Sequence, residues 1–547
     1  MEKTIGKVSA TSNKPTSADE FCFWLKDEYV IAPFDMISVE NEKNSITVGI
    51  VKEIYHITDG FNHISNYVSH DFGKSDEEPT TMRLGTVYAI AEVLNNNKEI
   101  YMPLRDGTPV RFSDQDEIRD ALGINLIEQA GHYKISAGFL NLSNDQSIPV
   151  HLDSGFLIGP EGAHLNISGI SGLATKTSYI MFLLQAISQK SQNEDTAMII
   201  LNVKGDDLLF IDEENPDLSE RVKTEWEKCE LEAIPFKNVK YFYPFQRNEA
   251  NAHANTWCNK EKLLQRQQEN IAYNYIYTYE NDKDKLDLLF SNVDDPNFTL
   301  EAIKNEITSG RLFDNVQDWD GLLQEVQRKC EAGLGGNKEI PVVSWRRFKR
   351  LLGTHVKNTN GIFQSSPSEQ DEKKHVFLSD HIGNIKGGDT YVIDIAQIEE
   401  QEKCLVFGDI IRSVYDSKIE DKEGYPKKII IFVDELNKYA PENVKSSPII
   451  KDLLEITERG RSLGIILFSA EQFRSSVHSR VKGNCATNVY GRTNAVEIAT
   501  SDYRYIPKTY SNMMTRLSKG QLIIQHPIFR TLLKVKFPKP SYLQPNK

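Results

Sequence analysis

The sequence lacks the long apolar segments of a membrane protein and the paired cysteines of a disulfide-rich or zinc-binding one. No apolar run approaches the roughly 18 residues needed to span a bilayer, and the polar amino terminus has no signal-peptide core. The six cysteines show neither CxxC pairing nor histidine-rich spacing, so we expect reduced, structural thiols and no zinc site. We therefore expect a soluble, cytoplasmic protein without membrane contacts.

The sequence also lacks a net positive charge. The 547 residues carry a net charge of −14, which argues against a generally DNA-coating surface and confines nucleic-acid contact to a local basic region such as the lining of a pore. One basic cluster with interleaved aromatic residues runs from Trp345 to Arg350. Such a run is most often the solvated face of an amphipathic helix, and we do not assign it as a DNA site.

The clearest motif is an apolar strand that ends on two adjacent carboxylates. In KKIIIFVDELNKYAP, five apolar residues precede Asp434 and Glu435, which is the pattern of a Walker B strand. Open α/β sheets place ligands at the carboxyl ends of their strands, where Asp434 can hold a hydrated Mg²⁺ and Glu435 can orient and deprotonate a water. Taken alone, the pattern fits an ordinary strand that runs out into an acidic turn equally well.

A second motif has the layout of a phosphate-binding loop. In HLNISGISGLATKTSYIMFLLQAISQK, a short strand leads into a Gly/Ser-rich turn and an apolar helix. Lys176 would reach the β- and γ-phosphates of ATP, and Thr177 would ligate Mg²⁺ together with Asp434. The alternative is a Ser/Gly turn that caps a core helix. The predicted nucleotide contacts are Gly169, Gly172, Ala174, Thr175, Lys176, Thr177, Ser178 and Asp434.

The loop departs from the usual GxxxxGK[ST] pattern. Thr175 stands where glycine usually precedes the lysine, and the turn counted from Gly169 is one residue longer than usual. A β-branched residue at positive φ would cost on the order of 1–2 kcal/mol, so we expect a rearranged backbone here.

Two further strand ends carry polar side chains. The strand TAMIILNV ends in KGDD, residues 204–207, which either lines the nucleotide site or forms an ordinary turn. The segment ERGRSLG leads into a strand that ends just before Gln472. We predict Gln472 as a sensor of the γ-phosphate, and Arg459 or Arg461 as an arginine finger toward a neighbour's nucleotide. An arginine at a helix end is, on its own, more often a solvated charge.

Spacing and composition predict an α/β protein of several segments. Lys176 and Asp434 are 258 positions apart, more than a minimal nucleotide-binding core needs, so we predict a helical block inserted into the core. The predicted segments are a disordered amino terminus (1–17), a small β-barrel (18–155), a first part of the core (156–216), a helical insert (217–370), and a second part of the core with the carboxy-terminal tail (371–547).

Together, FVDELNKYAP, ERGRSLGIILFSAEQ, the KGDD strand end and the preceding barrel resemble the HerA family of hexameric ATPases, relatives of the FtsK DNA translocases. The resemblance covers nearly the whole chain. It implies an amino-terminal barrel, a RecA-like P-loop core with a helical insert, and ATP bound with Mg²⁺ between the subunits of a homo-hexamer. The site residues that it implies are Lys176, Thr177, Asp434, Glu435, Gln472 and, as the trans-acting arginine, Arg461 in preference to Arg459.

The GLATKTS loop is similar to that of HerA-like proteins of bacterial antiviral defence, which act with a nuclease or a sirtuin-like NADase. By this resemblance, the effector docks on the barrel and double-stranded DNA occupies the central pore. We therefore expect an ATP-hydrolysing, ring-forming DNA translocase or helicase-like motor that acts with a separate effector. The alternative is a ring that binds ATP to organise and gate its partner without moving along DNA.

Overall fold

The structure is a computed structural model that describes residues 3–70, 72–73, 76, 84–170, 175–190, 195–293, 295, 298–309, 313–331, 340–357, 360–366, 375–444 and 447–545. The chain forms two compact units. The first comprises Met1–Asp153, Thr224–Leu231 and Arg504–Pro538, and the second comprises Ser154–Lys223, Glu232–Tyr503 and Lys539–Lys547. Within the described ranges, every helix is too short or too polar to cross a bilayer.

A closed barrel of antiparallel strands opens the first unit, as the sequence predicts. The strands hydrogen-bond in the order β1-β2-β5-β4-β3-β6. Apolar side chains such as Ile5, Phe21 and Val39 fill a core within the barrel. The strands are β1 (Gly6–Ser9), β2 (Glu20–Leu25), β3 (Met36–Asn41), β4 (Ser45–Thr58), β5 (Gly85–Asn96) and β6 (Pro109–Phe112).

Strand β1 lies in the stretch 1–17 that the sequence predicts to be disordered, and for these residues the prediction is wrong. β1 pairs with β2 on one side and with β6 on the other, and Ile5 and Val8 are buried. Four residues are too few to show a clear period-2 pattern. The strand is ordered because it closes the barrel, and closure removes the two free edges of the sheet.

The remaining strands are β7 (Lys134–Asn141), β8 (Ser147–Asp153), β9 (Leu165–Ser168), β10 (Thr196–Asn202), β11 (Val239–Pro244), β12 (Ala272–Tyr275), β13 (His375–Val376), β14 (Thr390–Asp394), β15 (Lys428–Asp434), β16 (Ile465–Glu471), β17 (Thr487–Tyr490), β18 (Gln521–Gln525) and β19 (Leu533–Lys536). In the first unit, β18, β19, β7 and β8 form an antiparallel ladder. The sequence predicted that residues 371–547 form the second part of the core with the tail. Residues 504–538 belong instead with the amino-terminal unit, because β19 pairs with β7.

The second unit contains a parallel sheet in the order β13-β12-β11-β14-β10-β15-β16-β9-β17. Every residue of β10 and β16 is buried, because helices cover both faces of a sheet of this kind. All carboxyl ends of parallel strands meet at one edge, which we call the carboxyl edge. The strand order places β16 between β9 and β15.

The helices are α1 (His63–Ser69), α2 (Gln115–Ala121), α3 (Ile124–Gln129), α4 (Ser154–Leu157), α5 (Thr175–Lys190), α6 (Glu220–Glu227), α7 (Lys260–Gln268), α8 (Tyr279–Asp282), α9 (Leu286–Leu289), α10 (Thr299–Thr308), α11 (Trp319–Lys329), α12 (Val342–Val356), α13 (Leu378–Ile382), α14 (Glu400–Ile419), α15 (Pro448–Leu463), α16 (Ser479–Gly483), α17 (Ala495–Ile498) and α18 (Lys508–Met514). Trp345 and Phe348 of α12 are buried, so the basic cluster at 345–350 lies on an amphipathic helix, as its pattern predicts.

The sequence predicted a helical insert at 217–370. The segment is not purely helical, because β11 and β12 lie within it. Both strands hydrogen-bond into the parallel sheet, β11 next to β14 and β12 next to β11. Their sequences, VKYFYP and AYNY, are short and rich in aromatic residues, which favour strands when they pack on a sheet. The segment also contains the helices α7 to α12, so it combines helices with an extension of the sheet.

Candidate functional site

The lysine of the predicted phosphate loop lies at the start of α5. The loop joins β9 to α5, and its residues Gly172 and Ala174 lie outside the described residues. Lys176 is 8% exposed, and its Nζ donates to the carbonyl oxygen of Gly169 at 2.7 Å. The ammonium group is therefore held at the base of the loop, at the carboxyl edge of the sheet.

The chain leaves β9 through a position that requires glycine. Gly169 has a φ of 156°, and a Cβ added there would lie 3.1 Å from the carbonyl oxygen of Arg492 and 3.1 Å from Cα of Gly491. The amide of Gly169 donates to the carbonyl of Glu471 at 3.2 Å, and the amide of Ile170 donates to that of Arg492 at 2.7 Å. The first residues of the loop are thus anchored beside both neighbours of β9.

Thr175, which replaces the usual glycine, is the first residue of α5. Its backbone is helical, so the β-branched side chain carries none of the strain that a positive φ would impose. The chain accommodates the substitution by beginning the helix one residue before Lys176. Ser178, another predicted contact, is buried in the same first turn.

The structure brings the loop residues together with the carboxylates at the end of β15. Oγ1 of Thr177 donates to Oδ2 of Asp434 at 3.3 Å. Burial lowers the pKa of Lys176 against the opposing effect of the Asp434 carboxylate. Lys176, Thr177, Asp434 and Glu435 therefore converge at the carboxyl edge.

The converging oxygen atoms fit the expected Mg²⁺ ion. A hydroxyl and a carboxylate are hard donors of the kind that Mg²⁺ takes, and this ion usually completes its shell with waters and substrate phosphates. In the part of the chain that the structure describes, no group of three or more His, Cys, Asp or Glu side chains could hold a metal alone. The donor set at Thr177 and Asp434 thus suits an ion that arrives with a phosphate.

Both carboxylate oxygens of Glu435 already contact a lysine. Nζ of Lys204 contacts Oε1, and Nζ of Lys438 lies 2.8 Å from Oε2. Burial acts to raise the pKa of Glu435, but the two lysines outweigh it, and the pKa is lowered. Glu435 also has a φ of 59°, a strained conformation of the kind found at functional sites. The KGDD strand end, for which the sequence left two interpretations open, thus places Lys204 beside the site.

Gln472 follows β16 directly and is half-buried at the carboxyl edge, where a sensor of phosphate would lie. The residue before it was missed by sequence reasoning. Glu471 is fully buried, and its Oε2 accepts a hydrogen bond from Nδ2 of Asn166 at 2.9 Å. Burial raises the pKa of Glu471 to about 8, against the effects of Arg474 and Asn166. A carboxylate as the last residue of a largely apolar strand was the available signal, because such a residue is rarely buried without a role.

Arg459 and Arg461 lie away from Asp434 and Glu435 of their own chain. Both belong to the last turns of α15, which leads into the amino end of β16. Asp434 lies at the other end of the sheet, roughly 20 Å away for a strand of this length. Arg459 pairs with Glu455 at 2.8 Å, and Nη1 of Arg461 donates to the carbonyl of Glu161 at 2.9 Å. Neither arginine joins the candidate site within one chain.

No protein-family model matches the sequence, and comparison with curated proteins found no match. Similar solved structures include the bacterial conjugative coupling protein TrwB, with 10% identity, a TM-score of 0.42, and coverage of 70% of this chain and 88% of that one. The structure of TrwB in complex with ADP and Mg²⁺ has 10% identity and a TM-score of 0.43, and the match covers 70% of this chain and 86% of that one. The genome packaging NTPase B204 of Sulfolobus turreted icosahedral virus 2, bound to ATP-gammaS, gives 17% identity, a TM-score of 0.23, and 30% and 72% coverage. At these low scores, function has to be inferred from the geometry of the site itself.

Proposed function

We propose that this chain is a P-loop ATPase that binds ATP with Mg²⁺ at the carboxyl edge of its parallel sheet. The observation that carries the proposal is the 3.3 Å contact between Thr177 and Asp434, beside the buried ammonium of Lys176. Residues far apart in sequence supply a lysine for phosphate, two oxygen donors for a metal and a carboxylate for water. These are the groups that phosphoryl transfer needs.

Each residue has a distinct role in this proposal. Lys176 binds the β- and γ-phosphates, while Thr177 and Asp434 hold the metal. When bound, Mg²⁺ would neutralise negative charge on the phosphates. Glu435 orients the attacking water and accepts its proton, and Gln472 contacts the γ-phosphate from the end of β16.

The proposal extends to a homo-hexameric ring that translocates along double-stranded DNA held in its pore. The position of Arg459 and Arg461, at the amino ends of the strands, supports sites shared between subunits, because these arginines reach a nucleotide only if it belongs to a neighbour. The net charge of −14 supports DNA contact that is confined to the pore.

The barrel is proposed as the docking surface for a separate effector, a nuclease or a sirtuin-like NADase, in antiviral defence. Its support is the segment between β4 and β5, which exposes several large apolar side chains to solvent. Exposed apolar patches of this kind mark interaction sites. The side chains are Phe61, Ile64, Tyr67, Phe72 and Leu84.

One observation favours the alternative function, an ATP-binding platform that gates its effector without translocation. Glu435 is held in two ion pairs, with Lys204 and Lys438. If Glu435 stays in both ion pairs, it is not available to accept a proton from water and ATP hydrolysis is slow. The ring would then act through nucleotide binding. The two functions differ in whether duplex DNA stimulates ATP turnover.

ATP binding and turnover by purified rings, with and without duplex DNA, test the proposal. The unmodified chain should hydrolyse ATP faster on DNA. Lys176→Ala should lose nucleotide binding, and Glu435→Gln should bind ATP but lose about 10²-fold or more of its turnover. Lys190→Ala, at the exposed far end of α5, is the matched control and should behave as the unmodified chain.

Two results would contradict parts of the proposal. Full turnover by Glu435→Gln would exclude Glu435 as the base. Turnover that DNA does not change, in rings of known order, would exclude the translocase and leave the platform.

A further inference from the structure

Lys204 lies beside the proposed base, and the role inferred for it rests on the proposed ATPase function. Lys204 follows β10, which pairs in parallel with β15, the strand that ends at Asp434. Its Nζ contacts Oε1 of Glu435 and lies 3.9 Å from Oδ2 of Asp434. A single ammonium group thus bridges the proposed base and the proposed metal ligand.

Hydrogen bonds hold the backbone around Lys204, whereas its side chain is partly exposed. Asn202, which is buried, donates through Nδ2 to the carbonyl of Gly205 at 2.9 Å and to Oδ1 of Asp394 at 2.9 Å. Gly205 has a φ of 52°, which completes the tight turn. The Lys204 side chain is 49% exposed, so its ammonium group can change partners while the turn stays in place.

A terminal phosphate competes for this ammonium group. The γ-phosphate of ATP is expected between Lys176 and the β15 carboxylates, which is within reach of Lys204. It carries more negative charge than one carboxylate and attracts a lysine more strongly at the same distance. ADP has no group at this position, so the pair between Lys204 and Glu435 would persist with ADP bound.

We propose that Lys204 contacts the γ-phosphate and exchanges Glu435 for it when ATP binds. The exchange frees Oε1 of Glu435 to accept a hydrogen bond from the attacking water. Lys204 would then act as a discriminator between ATP and ADP. The base would become available only when the substrate that needs it is present.

Lys438 provides a matched comparison. It binds the other oxygen of Glu435 at 2.8 Å, but it is also tied to Glu400 at 3.2 Å. It lies three residues after Glu435 in the same turn, whereas Lys204 comes from a neighbouring strand and also approaches Asp434. Replacing either lysine leaves Glu435 with one fewer cation, but only Lys204 is proposed to contact the phosphate.

The experiment measures the dissociation constants of ADP and of a non-hydrolysable β,γ-imido analogue of ATP, by calorimetry, for the full chain. The preference for the ATP analogue is the dissociation constant of ADP divided by that of the analogue. Lys204→Met should lower this ratio by a factor of about 10 to 100, as expected for the loss of one charge-assisted hydrogen bond. Lys438→Met should keep that preference, and Lys204→Arg should restore part of it. ADP affinity close to that of the unmodified chain shows that each variant is folded.

An unchanged preference in Lys204→Met, with ADP still bound normally, would overturn this inference alone. An equal loss in Lys438→Met would also overturn it, because the effect would then come from the charge of Glu435. Failure of the unmodified chain to bind either nucleotide would overturn the proposed ATPase function, and this inference with it.

Discussion

At the scale of single residues, Glu471 is a titratable group that is fully buried. It lies at the end of β16, between the strand that leads to Lys176 and the strand that ends at Asp434. Its Oε2 is bonded to Asn166, and Oε1 has no hydrogen-bond partner among the described residues. A buried carboxyl with one unpaired oxygen is more stable with its proton bound.

This environment makes stability depend on pH through Glu471. Burial raises its pKa from 4.5 to about 8. Between these values the folded chain keeps the proton and the unfolded chain releases it, so the free energy of unfolding falls as the pH rises toward 8, by up to about 1.4 kcal/mol per pH unit. Glu471→Gln removes this titration, since the amide stays neutral.

We expect the thermal midpoint of Glu471→Gln minus that of the unmodified chain to be larger at pH 8.5 than at pH 5.5. The comparison is made as a difference between the two proteins, because their other titrating groups then cancel. A difference that stays the same at both pH values would mean that Glu471 is ionised in the folded chain at neutral pH.

Lys204 and Glu471 also show where sequence reasoning stops at this scale. Lys176, Thr177, Asp434 and Glu435 could be predicted because each stands at the end of an apolar strand or beside a glycine-rich turn. The contact of Lys204 with Glu435 depends on which strands are neighbours in the sheet. Local patterns do not contain that information, since β10 and β15 are separated by more than 200 residues.

At the scale of elements, the junction between α15 and β16 depends on one glycine. Gly464 caps α15 with a φ of 71°, and its amide donates to the carbonyls of Gly460 and Arg461. A Cβ at this position would lie 2.0 Å from the carbonyl oxygen of Lys427, just before β15. The junction therefore sets how β16 lies against the strand that carries Asp434.

Gly464→Ala is expected to destabilise the chain well beyond the roughly 1–2 kcal/mol that a left-handed alanine costs alone, because a backbone carbonyl has to move. Gly483→Ala is the matched control, since a Cβ there meets no atom within 4 Å, and its effect should stay within about 0.5 kcal/mol. Chemical denaturation of both variants measures the difference. Equal stability would show that β15 and β16 shift apart without cost.

Some elements could be predicted from the sequence and others could not. β15, β16 and α5 were predictable because long apolar runs with polar ends identify them. β1, β11 and β12 were not, since segments of four to six residues acquire their structure from the strands they pair with. The pairing of β19 with β7 cannot be read from the local sequence either, and residues 504–538 belong to the first unit.

At the scale of the whole molecule, the proposed ring predicts that one subunit completes the site of the next. Arg459 and Arg461 lie two positions apart on α15, so they project from the helix in nearly opposite directions. Only one of them can face a given neighbour. The contacts that each makes in its own chain, with Glu455 and with the carbonyl of Glu161, are exposed and weak. Either arginine can therefore be removed without unfolding the chain.

If Arg461 acts in trans, Arg461→Ala rings should lose about 10³-fold or more in ATP turnover, yet fold and bind ATP normally. Mixing them with Glu435→Gln subunits should restore part of the activity, because an Arg461→Ala subunit keeps its own base and receives the arginine of its neighbour. Mixed Glu435→Gln and Lys176→Ala rings are the control, since every site then lacks a residue of its own chain, and they should stay inactive.

The outcomes separate three arrangements, provided that labelled subunits are shown to exchange. Recovery with Arg461→Ala but not with Arg459→Ala assigns the finger to Arg461, and the reverse assigns it to Arg459. Recovery with neither means that the nucleotide is not shared between subunits. Hydrolysis would then depend on the groups that each chain supplies to its own site, Lys176, Lys204 and Lys438 among them.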